Sequence, residues 1–170
     1  MALKPDRHEV VTDISFFMNE TAERGIIVTH STAGSGVAMD DGNALVAIPT
    51  TASGSYPAGL LLNDMVNIDL TRQHLNQHQD EVQKGGKVTL LKQGWVVTNK
   101  IDDASAGQPT AGAPAYVASS GLLSTTNPAA YDATTIAGAQ NPFGDEEALV
   151  GRWLSTMDAD GYAKVYIDIA

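Results

Sequence analysis

The chain closes on a strict alternation. Ala163, Val165, Ile167 and Ile169 are apolar, while Tyr162, Lys164, Tyr166 and Asp168 beside and between them are mixed or polar. A period of two buries one face of a strand and suits no helix. Just upstream, Ala148-Leu-Val-Gly-Arg-Trp-Leu-Ser-Thr156 reads as a second short strand. The intervening Met157-Asp-Ala-Asp-Gly161 carries an Asp-Gly turn, which predicts a hairpin. A lone hairpin is not stable in water, so other strands must complete its sheet.

The rest of the chain offers them. Lys87-Val-Thr-Leu-Leu-Lys-Gln-Gly-Trp-Val-Val-Thr98 is the longest β stretch, with Gly94 where a bulge or a close backbone approach is expected. Gly25-Ile-Ile-Val-Thr-His30, Gly36-Val-Ala-Met39, Ala44-Leu-Val-Ala-Ile48 and Ala115-Tyr-Val117 are shorter strands set apart by Gly, Asp, Ser and Pro. Many short strands with frequent turns predict a mainly β fold, a small single-domain barrel or sandwich. Trp95 and Trp153 lie in strong strands and are expected in its core. At 170 residues the chain is about one domain and buries roughly 70% of its unfolded surface. It therefore needs neither disulfides nor a structural metal. It has no cysteine, which excludes a disulfide scaffold, a Cys-ligated zinc, a thiol nucleophile and an iron–sulfur cluster.

Three segments stand apart from that core, which is expected to span residues 20–170. Residues 1–19 read as an N-terminal arm. Residues 63–83 form a polar insertion, either a helix from an Asp69 cap with the narrow stripe Ile68, Leu75 and Val82, or an extended arm ordered by a partner. Residues 102–145 are rich in Ala, Gly, Ser, Thr and Pro and read as mostly loop. The N-terminus has no apolar stretch before a small-residue cleavage site, and no apolar run approaches the roughly 20 residues of a membrane span. A soluble, unsecreted protein is expected.

Against 10 Lys and Arg stand 20 Asp and Glu, a net charge of −10. That balance opposes binding to nucleic acid or an anionic membrane, both of which need clustered cations. Candidate chemistry is sparse. His74 and His78 would share a helix face, as a two-histidine metal site requires, with Asp69, Asp80 or His30 as third ligand. The competing reading is a polar surface arm, because Leu75 stands where a zinc protease carries Glu. Asp158-Ala-Asp160-Gly161 is either the opening of a calcium loop or a hairpin turn; no bidentate Glu follows at the twelfth position, which favours the turn. Asp145, Glu146 and Glu147 are adjacent, a poor arrangement for two carboxylates across a sugar. No Gly-x-Ser-x-Gly elbow is present, and Gly34-Ser35-Gly36 lacks the Lys of a phosphate loop. No enzyme and no cofactor is expected. Phe16, Phe17 and Met18 either anchor an arm in a partner's pocket or cover the open end of their own domain.

Three stretches together resemble a family. Gly25-Ile-Ile-Val28, Gly86-Lys-Val-Thr-Leu-Leu-Lys-Gln-Gly-Trp-Val-Val97 and Val150-Gly-Arg-Trp-Leu-Ser-Thr-Met-Asp-Ala-Asp-Gly-Tyr-Ala-Lys-Val165 are similar to the capsid decoration, or cement, proteins of tailed bacteriophages. The resemblance covers about residues 20–39 and 85 onward, and the polar insertion departs from the simplest members. It implies a non-enzymatic virion protein on the outer surface of the expanded head, often a homotrimer, bridging major capsid subunits. Expected capsid contacts are Phe16, Phe17 and Met18 from the N-terminal arm and Arg72, His74 and His78 from the insertion. The alternative from composition is a phage tail or fibre component that binds host surface glycans.

Overall fold

A computed structural model describes residues 2–31, 44–51, 56–64, 81–82, 84–102, 107–127 and 148–169. The protein is mainly β. Its strands are β1 (His8–Asp13), β2 (Phe17–Met18), β3 (Ala22–Glu23), β4 (Ile27–Ser31), β5 (Leu45–Ala47), β6 (Pro57–Asp64), β7 (Glu81–Val82), β8 (Val88–Thr98), β9 (Pro114–Val117), β10 (Leu123–Ser124), β11 (Leu149–Trp153) and β12 (Ala163–Asp168). Among the described residues the only helical element is a single 3-10 turn, Ser119–Gly121. One ten-stranded sheet runs β10-β9-β11-β12-β8-β6-β4-β5-β2, with β1 also on β8, while β3 and β7 pair separately. The expected strand Gly36-Val-Ala-Met39 and most of the insertion 63–83 lie outside the described residues.

Strand β8 organises the sheet. Its Leu90 and Leu91 pair with both β6 and β1, and Gln93, Gly94 and Trp95 pair with both β12 and β1. A strand has two edges, so β6 and β12 follow one another along one of them and β1 takes the other. Bridges Leu3↔Thr98 and Phe17↔Lys87 extend the β1 contact in both directions. Residues 2–18 thus run antiparallel along the whole of β8. Their two ends are pinned by burial: Ala2 and Leu3 at one, Met18 at the other. The Thr98 hydroxyl, wholly buried, donates to the carbonyl of Ala2 at 3.2 Å.

Main-chain bonds also bring both ends of the sheet path back to β8 or to the residues flanking it. At the β2 end, Val88 N donates to Phe16 O (3.0 Å), Met18 N to Gly86 O (3.0 Å) and Gly85 N to Met18 O (2.7 Å). At the β10 end, Leu123 N donates to Lys100 O (2.9 Å) and Asp102 N to Leu123 O (2.8 Å).

Two hydrophobic clusters lie on opposite faces of the central strands. Ile27, Leu60, Leu62, Leu91 and Val96 face the larger cluster, built with β9 to β12 around Trp153. Ile26, Val28, Leu61, Val88 and Leu90 face the smaller one, with Met18, Val46 and Val82. Strands buried on both faces read as unbroken apolar runs, which is why Ile26-Ile-Val28 and Leu60-Leu-Leu62 show no alternation.

The C-terminal hairpin forms as its pattern predicts. β11 and β12 pair with Gly151 opposite Ile167 and Trp153 opposite Val165, and Ala163, Val165 and Ile167 are buried. In the turn, the Asp158 carboxylate accepts from the amides of Asp160 (3.0 Å) and Tyr162 (2.7 Å), and Gly161 adopts φ +82°. These are the roles that Asx-type turns give Asp and Gly. Gly94 also has the expected close approach: a Cβ there would lie 2.2 Å from the carbonyl oxygen of His8.

Candidate partner interface

The N-terminal segment carries three of the expected contact residues, and local chemistry separates them. Met18 is completely buried in the smaller cluster, so its side chain serves this chain's own core. Phe16 is half-buried and packs against the same cluster. Its ring meets His30 edge-on, with centroids 5.3 Å apart, and Lys92 Nζ lies 5.7 Å from its centroid. Phe17, also half-buried, is held by parallel pairing with Leu45 and lies 5.5 Å from Lys87 Nζ. A lysine ammonium thus lies within cation–π reach of each ring.

The charges around Phe16 are coupled. Burial, then the Lys92 ammonium, push His30 below its ordinary value of 6.5, while Asp13 pulls the other way. For Asp13 burial raises the pKa, but bonds from the Ser15 hydroxyl (2.5 Å) and amide (2.8 Å), with the positive charges nearby, outweigh it and leave the carboxyl below its usual range.

A second set of rings lies on the outer face of β8 and β12. His8 pairs with Trp95, Trp95 with Tyr166 and Tyr166 with Arg152, which puts the four in one row across β1, β8, β12 and β11. His8 stacks on Trp95 at 6.4 Å and 27°, and Lys164 Nζ sits 3.3 Å above the Trp95 ring centre. Trp95 is thus a half-exposed outer-face residue, contrary to the core position expected of it, whereas Trp153 is fully buried. The reason is parity: Gly94, Val96 and Thr98 point inward, which turns Trp95 outward. Lys4 likewise lies 4.2 Å from the Tyr162 ring centre while its ammonium bonds Asp158 at 2.9 Å. That bond raises the Lys4 pKa and holds the Asp158 carboxyl low.

Arg72, His74 and His78 lie outside the described residues, as do Asp69, Asp80 and the carboxylates at 145–147. His30, the third metal ligand considered from the sequence, meets Phe16 edge-on. Among the described residues no group of three or more His, Asp or Glu side chains is placed to hold a metal ion. The Asp158 oxygens are engaged by two amides and Lys4, in keeping with the turn reading. Sequence reasoning missed His8, Val10 and Val11, all exposed on β1. The signal in the sequence is an apolar pair between Glu9 and Thr12 with no alternation around it.

The described molecule is a mainly β protein whose aromatic rings Phe16, Phe17, Trp95 and Tyr162 each carry a lysine ammonium nearby. The family model for structural cement proteins (E217 gp24/Pam3 gp6) matches residues 8–168, and the chain belongs to this family of phage structural cement proteins. Compared with curated proteins, it has no match.

Proposed function

We propose that this protein is a capsid decoration protein that binds the outer surface of the expanded phage head and bridges major capsid subunits. Family membership across residues 8–168 carries the reading. A protein that binds only the mature lattice stabilises that lattice by mass action. Association as a homotrimer, which the sequence resemblance implies, multiplies weak contacts because a held trimer presents its other subunits at high effective concentration. The role needs no catalysis and no cofactor. It assigns the protein to the virion exterior, with assembly in the host cytoplasm, and makes no use of nucleic acid or membrane. Phe16 and Phe17 are the proposed capsid contacts of the N-terminal segment, joined by Arg72, His74 and His78.

Co-sedimentation with expanded heads lacking the protein tests this. Saturable binding at a copy number set by icosahedral symmetry, with poor binding to unexpanded proheads, is expected. Absence of binding to any head form overturns the proposal and turns attention to glycan binding as a tail or fibre component.

A further inference from the structure

The strand β1 is unlike every other long strand of the protein. Its side chains from His8 to Thr12 are exposed on both faces, and among the described residues no strand lies on its far edge. Natural edge strands are guarded by Lys, Pro or inward-pointing charge. At its centre β1 instead carries Val10 and Val11, 53% and 46% exposed, followed by Ile14 at 46%. Val10 has no partner on β8, because the register shifts between Glu9 and Val11. A bulge of this kind re-aims a side chain, and here it directs an apolar one at solvent.

The charges along this edge point to its occupant. Arg7 and His8 stand at the start, Asp13 at the end, and Glu9 is already paired with Arg7 at 2.6 Å. Arg7 before the apolar centre and Asp13 after it form a self-complementary pair for antiparallel association. We propose that β1 is a two-fold contact between two copies of this chain, running antiparallel with Val10 and Val11 of both copies packed at its centre. Opposite pairs in an antiparallel ladder alternate in hydrogen bonding, so a two-fold pair has to be centred on a residue opposite itself. Val10 opposite Val10 sets Arg7 against Asp13 of the second copy, whereas centring on Glu9 opposes Glu9 with itself and centring on Val11 opposes Glu9 with Asp13, and like charges directly opposite are unfavourable. Charge therefore restricts the pairing to the register centred on Val10.

An isologous contact closes a pair. It is compatible with threefold association and would link copies of neighbouring oligomers. The patch is small beside the roughly 1,200–2,000 Å² of stable stand-alone interfaces, so a weak contact is expected in the free protein and an effective one where copies are held side by side.

Because the chain has no cysteine, disulfide trapping of the full-length protein tests the contact cleanly. Val10→Cys and Val11→Cys variants are oxidised singly and mixed, with exposed Thr110→Cys as control and melting curves to check that each variant folds. Covalent dimer from Val10→Cys alone, in clear excess over the control and over Val11→Cys alone, is expected, with the mixture yielding no more than its Val10→Cys share. Adding Arg7→Glu and His8→Glu should lower the yield several-fold. Yields no higher than the control, or yields unmoved by the charge reversal, overturn the proposal. Neither result bears on whether the protein binds heads.

Discussion

Gly94→Ala is the sharpest probe of whether the N-terminal segment is an integral strand. Gly94 has φ +145°, a region almost restricted to glycine, and an added Cβ would lie 2.2 Å from His8 O and 3.1 Å from Leu91 Cδ1. Holding alanine in that backbone conformation costs about 1–3 kcal/mol. Real Cβ atoms essentially never come closer than 3.0 Å to such a neighbour, so the backbone of β1 has to retreat by about 1 Å at His8. That retreat breaks one or two main-chain bonds at about 0.5–1.5 kcal/mol each. Little side-chain burial is lost with them, because β1 is exposed. The total is about 2–5 kcal/mol, which for a domain of this size lowers Tm by about 5–15 °C. Gly112→Ala is the control, since φ is +88° but nothing lies within 4 Å of its Cβ; only the left-handed strain of about 1–2 kcal/mol applies. Scanning calorimetry compares the two, and amide exchange reads residues 8–13 directly. If Gly94→Ala melts with Gly112→Ala and its residues 8–13 stay as protected as in the parent, the close approach of β1 to β8 is wrong.

Trp153→Ala should destabilise by about 3–5 kcal/mol in urea, while Trp95→Ala loses only outer-face ring contacts, about 0.5–1.5 kcal/mol. Because folding lowers the His30 pKa, its neutral form contributes stability that is complete above the ordinary value of 6.5 and declines as pH falls below it. The urea midpoint of His30→Gln should accordingly fall less steeply than the parent's as pH drops below 6.5. Asp158 is also held low, so its contribution is present above 3.8 and lost on further acidification. Lys4→Gln should flatten that acid limb, with the Asp158 titration followed by NMR.

How far the sequence was readable depended on how each strand is buried. The β11–β12 hairpin has one buried face and one exposed face, so alternation and an Asp-Gly turn disclosed both strands and their connection. β8 was visible as a β stretch, but its role was not: Leu90 and Leu91 point to different clusters, so the apolar run conceals which parity faces which core. The same loss of parity hid the outward turn of Trp95. β1 was missed for the opposite reason, being exposed on both faces and therefore without a pattern. The pairs β2, β3 and β7 are two residues long, too short for any periodicity. Phe16, Phe17 and Met18 were identifiable as isolated large apolar residues, yet only tertiary pairing distinguishes the buried Met18 from its half-exposed neighbours.

The central place of β8 has a consequence for synthesis on the ribosome. Among the described residues every partner of the smaller cluster has been translated once the chain reaches Thr98, so this half can close before the rest exists. β11 and β12 come last, and until they arrive Ile27, Leu60, Leu62, Leu91 and Val96 present an uncovered apolar face. Nascent domains with such faces are prone to aggregate or to recruit chaperones. The interval between translation of β8 and of β12 is therefore the vulnerable period in making this protein, and the β11–β12 hairpin is what closes it.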